Sequence, residues 1–112
     1  MTPATIDPAI FAELQDSAGA DFVSDLVATF ADEEAPMMLA ELREALAAGS
    51  AERFRRAAHS LKSNAMTFGA VPLGEQARSL ELGGLPADAT PLDALQAALD
   101  QAIQALKVLC RG

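Results

Sequence analysis

The chain has no tryptophan, no tyrosine, one cysteine and one histidine, and each scarcity removes a class of answers. With a single thiol at Cys110, neither an internal disulfide nor a multi-thiolate metal site can form, and Cys110 reads as a small apolar residue near a chain end. One histidine and one distant cysteine are not a zinc ligand set, so no metal and no cofactor is expected. Aromatic residues make up 4% of the chain although hydrophobic residues make up 51%. Ala, Leu and a few Phe must therefore fill the core, which favours packed helices over strands rich in aromatic and β-branched side chains.

Positive charge is also scarce, with 8 Lys and Arg against 16 Asp and Glu and a net charge of −8. Neutralising nucleic-acid phosphates takes clustered cations, so nucleic acid is excluded as a partner and another protein is expected. No apolar run reaches the length of a membrane span, and Met1 to Phe11 lacks the basic flank and apolar stretch of a secretion signal. A cytoplasmic location without membrane association is the expectation. A Gly-rich phosphate loop and nucleotide-binding motifs are absent as well, which argues against an ATP-using kinase. At 112 residues the chain is the size of one domain, expected to span 1–112 and to be monomeric.

What is present is helical punctuation. Asp7 and Pro8 read as N-cap and first helical position of a short helix that Gly19 closes. From about Asp21 to Ala48, Val23, Leu26, Val27, Phe30, Met37, Met38, Leu42 and Leu46 recur at mainly helical spacings, interrupted by Pro36, which predicts one kinked helix. The acidic run Asp32, Glu33, Glu34 reads as a solvated face. Gly49 and Ser50 end that helix and cap the next, predicted from about Ala51 to Phe68 and stopped by Gly69. Another is predicted from about Pro72 to Leu82, with Leu73, Ala77 and Leu80 inward. Thr90, Pro91 and Asp93 read as N-cap, helical proline and capping-box acid of the last, whose Leu92, Leu95, Leu99, Ala102, Leu106 and Leu109 form a bundle seam. The fold class expected is all-α, an antiparallel four-helix bundle with a short additional N-terminal helix as a lid at one end.

The lone histidine lies in the third of these segments. At about 100° per residue, Phe54, Ala58, Leu61, Ala65 and Phe68 fall within roughly 40° of one line, and His59 lies about 140° away from it. His59 should face water. Arg55, Arg56, Lys62 and Ser63 stand three or four residues from it and are its neighbours on the helix surface. Three of the eight basic residues thus crowd one imidazole. Such a ring of charge predicts a lowered pKa, a nucleophilic ring nitrogen near neutral pH and a welcome for the negative charge of a phosphoryl group. The plainer reading pairs Arg55 and Arg56 with acids one turn away, such as Glu52.

The run Ala58-His59-Ser60-Leu61-Lys62-Ser63-Asn64-Ala65-Met66-Thr67-Phe68-Gly69-Ala70 resembles the signature of histidine phosphotransfer (HPt) domains. In that family a histidine is followed by leucine, lysine and a small residue, and later by a phenylalanine-glycine helix end. A stretch like Phe30 to Gly49, with acids, a proline and a Leu-x-x-Ala-Leu run, commonly precedes it. The resemblance implies a phosphorelay intermediate, not a kinase, that accepts and donates a phosphoryl group on His59 and meets receiver domains of response regulators or hybrid kinases. It implies further that Lys62 holds the phosphoryl oxygens and that Ser63, often glycine in the family, leaves room for the receiver. Some members place a glutamine near the phosphohistidine from the following helix. Glu81 stands about there, where a carboxylate would repel phosphate. Receivers would dock over Arg55, Arg56, His59, Lys62, Ser63 and Met66.

Two other classes compete. A helical adaptor in which His59 is incidental would use the same bundle. A hydrolase with His59 as general base would need a serine or cysteine and an orienting acid at recognisable spacing, and none stands out.

Overall fold

The computed structural model describes residues 5–111, and every regular element among them is helical. Helix α1 spans Pro8–Ala18, α2 Ala20–Thr29, α3 Ala35–Ala48, α4 Ala51–Thr67, α5 Val71–Gly83 and α6 Thr90–Arg111, with a π-helical turn at Phe30–Glu34 joining α2 to α3. Helix α4 packs on α3 and α5, α5 packs on α6, and α6 returns to α2 and α3, which closes an antiparallel four-helix bundle. No described helix is long and apolar enough to cross a membrane.

The segment expected as one kinked helix is helical throughout, and its buried side chains explain the π turn. Val23, Val27 and Phe30, then Ala35, Met38, Leu42 and Ala45, are buried. All steps are three or four except the step of five from Phe30 to Ala35. The backbone takes that step with the Ala35 N–H donating to the Phe30 carbonyl, so both residues stay on the core face. The wide turn also stands just ahead of Pro36, whose ring would meet the Asp32 carbonyl in a regular helix. One extra residue rotates the rest of the helix by about 100°. Met37, read in sequence as part of the apolar stripe, is consequently turned outward and is 65% exposed.

Helix α1 is the expected N-terminal addition. The Asp7 carboxylate accepts from the Ala9 N–H at 2.9 Å, while the Asp7 N–H donates to the Gly69 carbonyl at 2.8 Å. That bond sets the start of α1 against the turn that ends α4. Gly69 has φ +82°, and a Cβ there would lie 3.0 Å from the Asp7 carbonyl oxygen, so conformation and space both call for glycine.

The start of α6 departs from the sequence reading. Thr90 already lies within the helix, the Ala89 carbonyl accepts from Leu92 and Asp93, and Asp88 accepts from the Thr90 N–H at 2.9 Å. Hydrogen bonds from Thr90, first its backbone and then its side chain, hold the Asp88 carboxyl below the usual carboxylate range. Capping therefore falls to Asp88 and Ala89, and Asp93, expected as the capping-box acid, pairs with Arg43 across to α3 at 3.1 Å.

No polar or charged side chain is buried among the described residues. The expected seams hold: Phe54, Ala58, Leu61, Ala65 and Phe68 on one side and Leu92, Leu95, Leu99, Ala102 and Leu106 on the other are all buried, while Leu109, at the end of the second, is half-buried. Leu61 is fully enclosed two positions after His59. Leu61→Ala should cost about 2–5 kcal/mol through lost burial and a residual cavity, read as a lower urea midpoint. A change below about 1 kcal/mol would contradict this packing.

Candidate functional site

Helix α4 buries Phe54, Ala57, Ala58, Leu61 and Ala65, and its opposite crest carries Arg55, His59 and Ser63, all exposed. Its two flanks meet different neighbours. Towards α3, Arg53 donates to Glu41 through Nε at 3.0 Å and Nη2 at 2.7 Å, a bidentate tie that holds the Glu41 carboxyl below its usual range. Towards α5, Lys62 reaches Glu81 and Met66 lies over Gly74. A Cβ on Gly74 would come within 2.7 Å of the Met66 Cε.

The His59 side chain is 56% exposed, and its Nδ1 lies 2.7 Å from Glu81 Oε2. The other Glu81 oxygen, Oε1, is 3.1 Å from Lys62 Nζ, in a pair where the Lys62 side chain is 25% and the Glu81 side chain 12% exposed. Hydrogen bonds first from Lys62 and then from His59 hold the Glu81 carboxyl below the usual carboxylate range. An ionised carboxylate only accepts, so the proton between it and the imidazole belongs to Nδ1. In the neutral ring Nε2 is then the nitrogen with the free lone pair.

This geometry changes the sequence reading at several points. The ring's immediate partner is an anion, whereas a cationic surround was expected. Glu81, expected to repel phosphate, has its charge shared between Lys62 and the imidazole. Arg55 and Arg56 form no ion pair among the described residues, so the pairing with Glu52 is not made. Arg56 instead faces the α3 flank, close enough to Glu41 to help hold its carboxyl ionised. Lys62 and Met66, expected on the open crest with Ser63, lean against α5.

Sequence reasoning missed the constructive role of Glu81, although a signal was there. Glu81 follows Leu73 and Ala77 at steps of four, so it extends the inward stripe of α5. An acid on an inward stripe needs a partner, and α4 supplies two.

The arrangement offers a nucleophilic nitrogen on an exposed crest, a carboxylate that fixes its tautomer, and a cation beside that carboxylate. This is the base-and-orienter half of a catalytic triad without its third member. His59 hydrogen-bonds to Glu81 and to no hydroxyl or thiol among the described residues. A hydrolase using His59 to activate a serine or cysteine finds no support.

The family model described as Hpt domain matches residues 25–105. Among solved structures, the chain is similar to histidine-containing phosphotransfer protein B from Pseudomonas aeruginosa PAO1, with 26% identity, a TM-score of 0.76 and coverage of 98% of this chain and 94% of that one. No curated protein matches the sequence.

Proposed function

Because the chain belongs to the Hpt domain family, we propose that it is a phosphorelay intermediate that carries a phosphoryl group on His59 Nε2 between the aspartates of receiver domains. The observation that carries this reading is the hydrogen bond from Nδ1 to Glu81, which leaves Nε2 as an exposed nucleophile of defined tautomer. The lone pair of Nε2 attacks the phosphorus of a receiver's aspartyl phosphate. The N–P bond forms as the P–O bond to the aspartate breaks, and the aspartate leaves as a carboxylate. The ring, still protonated on Nδ1, becomes cationic, and Glu81 faces that charge. The return step runs the same bonds in reverse, so one site both accepts and donates.

Little more is asked of the chain, since receivers supply the aspartate and the metal that screens the transferring oxygens. We assign Lys62 the support of the phosphoryl group. Its flexible stem lets the ammonium move from Glu81 Oε1 to the new anion without leaving the carboxylate's vicinity. Arg55, Arg56, Ser63 and Met66 are assigned to receiver contact, the arginines by charge and Ser63 by its small size. Residues 1–112 would act in the cytoplasm as one monomeric Hpt domain without kinase activity of its own.

The direct test is incubation with receivers charged by a small-molecule phosphodonor, followed by detection of acid-labile, base-stable label on the chain. Failure to take label from any receiver of the source organism would refute the reading. Lys62→Ala should slow transfer about two- to fivefold without preventing it, because one partly exposed charge contact is lost while the nucleophile stays. Transfer at the parent rate would remove Lys62 from the mechanism and leave His59 in it.

A further inference from the structure

Once Nε2 carries a phosphoryl group, the fate of that group depends on the proton left on Nδ1. When the N–P bond breaks, its electron pair returns to Nε2. If Nδ1 holds its proton, the leaving group is a neutral imidazole. If that proton has gone, the leaving group is an imidazolate, a far stronger base that leaves far less readily. The same holds whether the attacking oxygen belongs to a receiver's aspartate or to water.

In this chain the proton on Nδ1 faces a carboxylate. Nδ1 lies 2.7 Å from Glu81 Oε2, and the Glu81 side chain is only 12% exposed. An anion in contact with the ring and poorly hydrated favours the protonated, charged ring. Glu81 itself stays ionised as the pH falls, because hydrogen bonds first from Lys62 and then from His59 hold its carboxyl below the usual range. The cations nearby act in the opposite direction, but from less effective positions. Lys62 Nζ is engaged by Glu81 Oε1 at 3.1 Å. Arg55, one turn before His59 on α4, and Arg78, one turn before Glu81 on α5, are exposed and screened by water. On the α3 side, Arg53 and Arg56 face Glu41. When Lys62 turns to the phosphoryl group, Glu81 is left with the ring alone.

We infer that Glu81, by keeping the proton on Nδ1 after the phosphoryl group has arrived on Nε2, makes the phosphorylated protein short-lived at neutral and mildly alkaline pH, so that the chain passes a phosphoryl group on and does not store it. The inference rests on the phosphotransfer reading above and adds to it the lifetime of the carried group. In the discharge itself an oxygen of water attacks phosphorus, the P–N bond breaks, its electron pair returns to Nε2, and inorganic phosphate departs from a neutral ring protonated on Nδ1.

To test this, the chain is charged by a labelled receiver, the receiver is removed, and loss of label as inorganic phosphate is timed at about pH 8 and about pH 5.5, on either side of the ordinary imidazole range. Glu81→Gln keeps a carbonyl that accepts from Nδ1–H but has no charge to hold the proton. At the higher pH its label should last about tenfold longer than the parent's, the lower end of the effect of an opposite charge in contact. At the lower pH both rings are protonated, and the two lifetimes should agree within about twofold. Parent and variant both discharge fast in acid, and the variant slows first as the pH rises. A Glu81 that only shaped the site, or only repelled the phosphoryl group, would change both lifetimes by the same factor. A second comparison uses the parent alone. Unfolding in urea separates His59 from Glu81, so at the higher pH the unfolded phosphoprotein should keep its label several-fold longer than the folded one. Equal lifetimes of parent and variant at the higher pH, a ratio that does not change with pH, or an unfolded chain that discharges as fast as the folded one would each overturn this role of Glu81 while leaving His59 as the carrier. Absence of label on the parent from every receiver would instead remove the phosphotransfer reading, and this inference with it.

Discussion

His59→Gln protein is expected to take no phosphate from any charged receiver, with its helical content and unfolding midpoint unchanged. The amide has no lone pair able to attack phosphorus, and the chain has no second imidazole to substitute for it. The fold should be indifferent, because the side chain is more than half exposed on the crest of α4 and contributes nothing to the core. Glutamine has nearly the reach of histidine, and its amide N–H can still donate to Glu81, so the Glu81–Lys62 pair between α4 and α5 keeps a partner. Loss of label therefore reports loss of the nucleophile and not collapse of its surroundings. The readout is radiolabel that survives base and is released by acid, the signature of a nitrogen–phosphorus bond. Label persisting on His59→Gln would show that another residue carries the phosphoryl group, and the role assigned here to His59 would fall.

The parts of this site that depend on one helix were legible in the sequence. The angular position of His59 follows from the stripe Phe54, Ala58, Leu61, Ala65, Phe68, and all five of these residues are buried while His59 is exposed. Helix ends marked by Asp7, Gly19, Gly49 and Ser50 were legible for the same reason, since caps act within a few residues of their own positions. The features that escaped depend on two helices at once. The Arg53–Glu41 tie and the Glu81 contacts to His59 and Lys62 are set by how α3 and α5 rotate against α4, and a wheel drawn for one helix does not contain that rotation. The exposure of Met37 escaped for a related reason. Pro36 announced an irregularity, but a kink and an inserted residue leave different faces pointing inward, and the step of five from Phe30 to Ala35 distinguishes them only once Ala35 is known to be buried.

The carboxylate that sequence reasoning set against phosphate should prove to assist transfer. Glu81→Ala is expected to slow phosphorylation of His59 about ten- to a hundredfold, the range for losing an orienting hydrogen bond to a reacting imidazole. Two effects combine. Without the acceptor, the ring proton is no longer held on Nδ1 and the ring is no longer fixed in place, so only part of the population presents a free Nε2. The cationic ring formed on attack also loses the anion facing it, much as a triad histidine depends on its aspartate. Glu81→Gln separates a positioning role from a merely structural one. Its side-chain carbonyl can still accept from Nδ1–H while carrying no charge, and Lys62 is released towards the phosphoryl group, so transfer should recover most of the loss seen in Glu81→Ala. Nitrogen NMR of the neutral imidazole gives an independent readout. The parent and Glu81→Gln should show one tautomer with the proton on Nδ1, and Glu81→Ala a mixture. Since Lys62 and His59 hold the Glu81 carboxyl below its usual range, the bond from Nδ1–H to Glu81 should persist as the pH falls to the point where an ordinary carboxylate begins to protonate. Parent-rate transfer by Glu81→Ala, or a glutamine variant no better than the alanine one, would show that Glu81 only neutralises Lys62 and has no part in presenting the nucleophile.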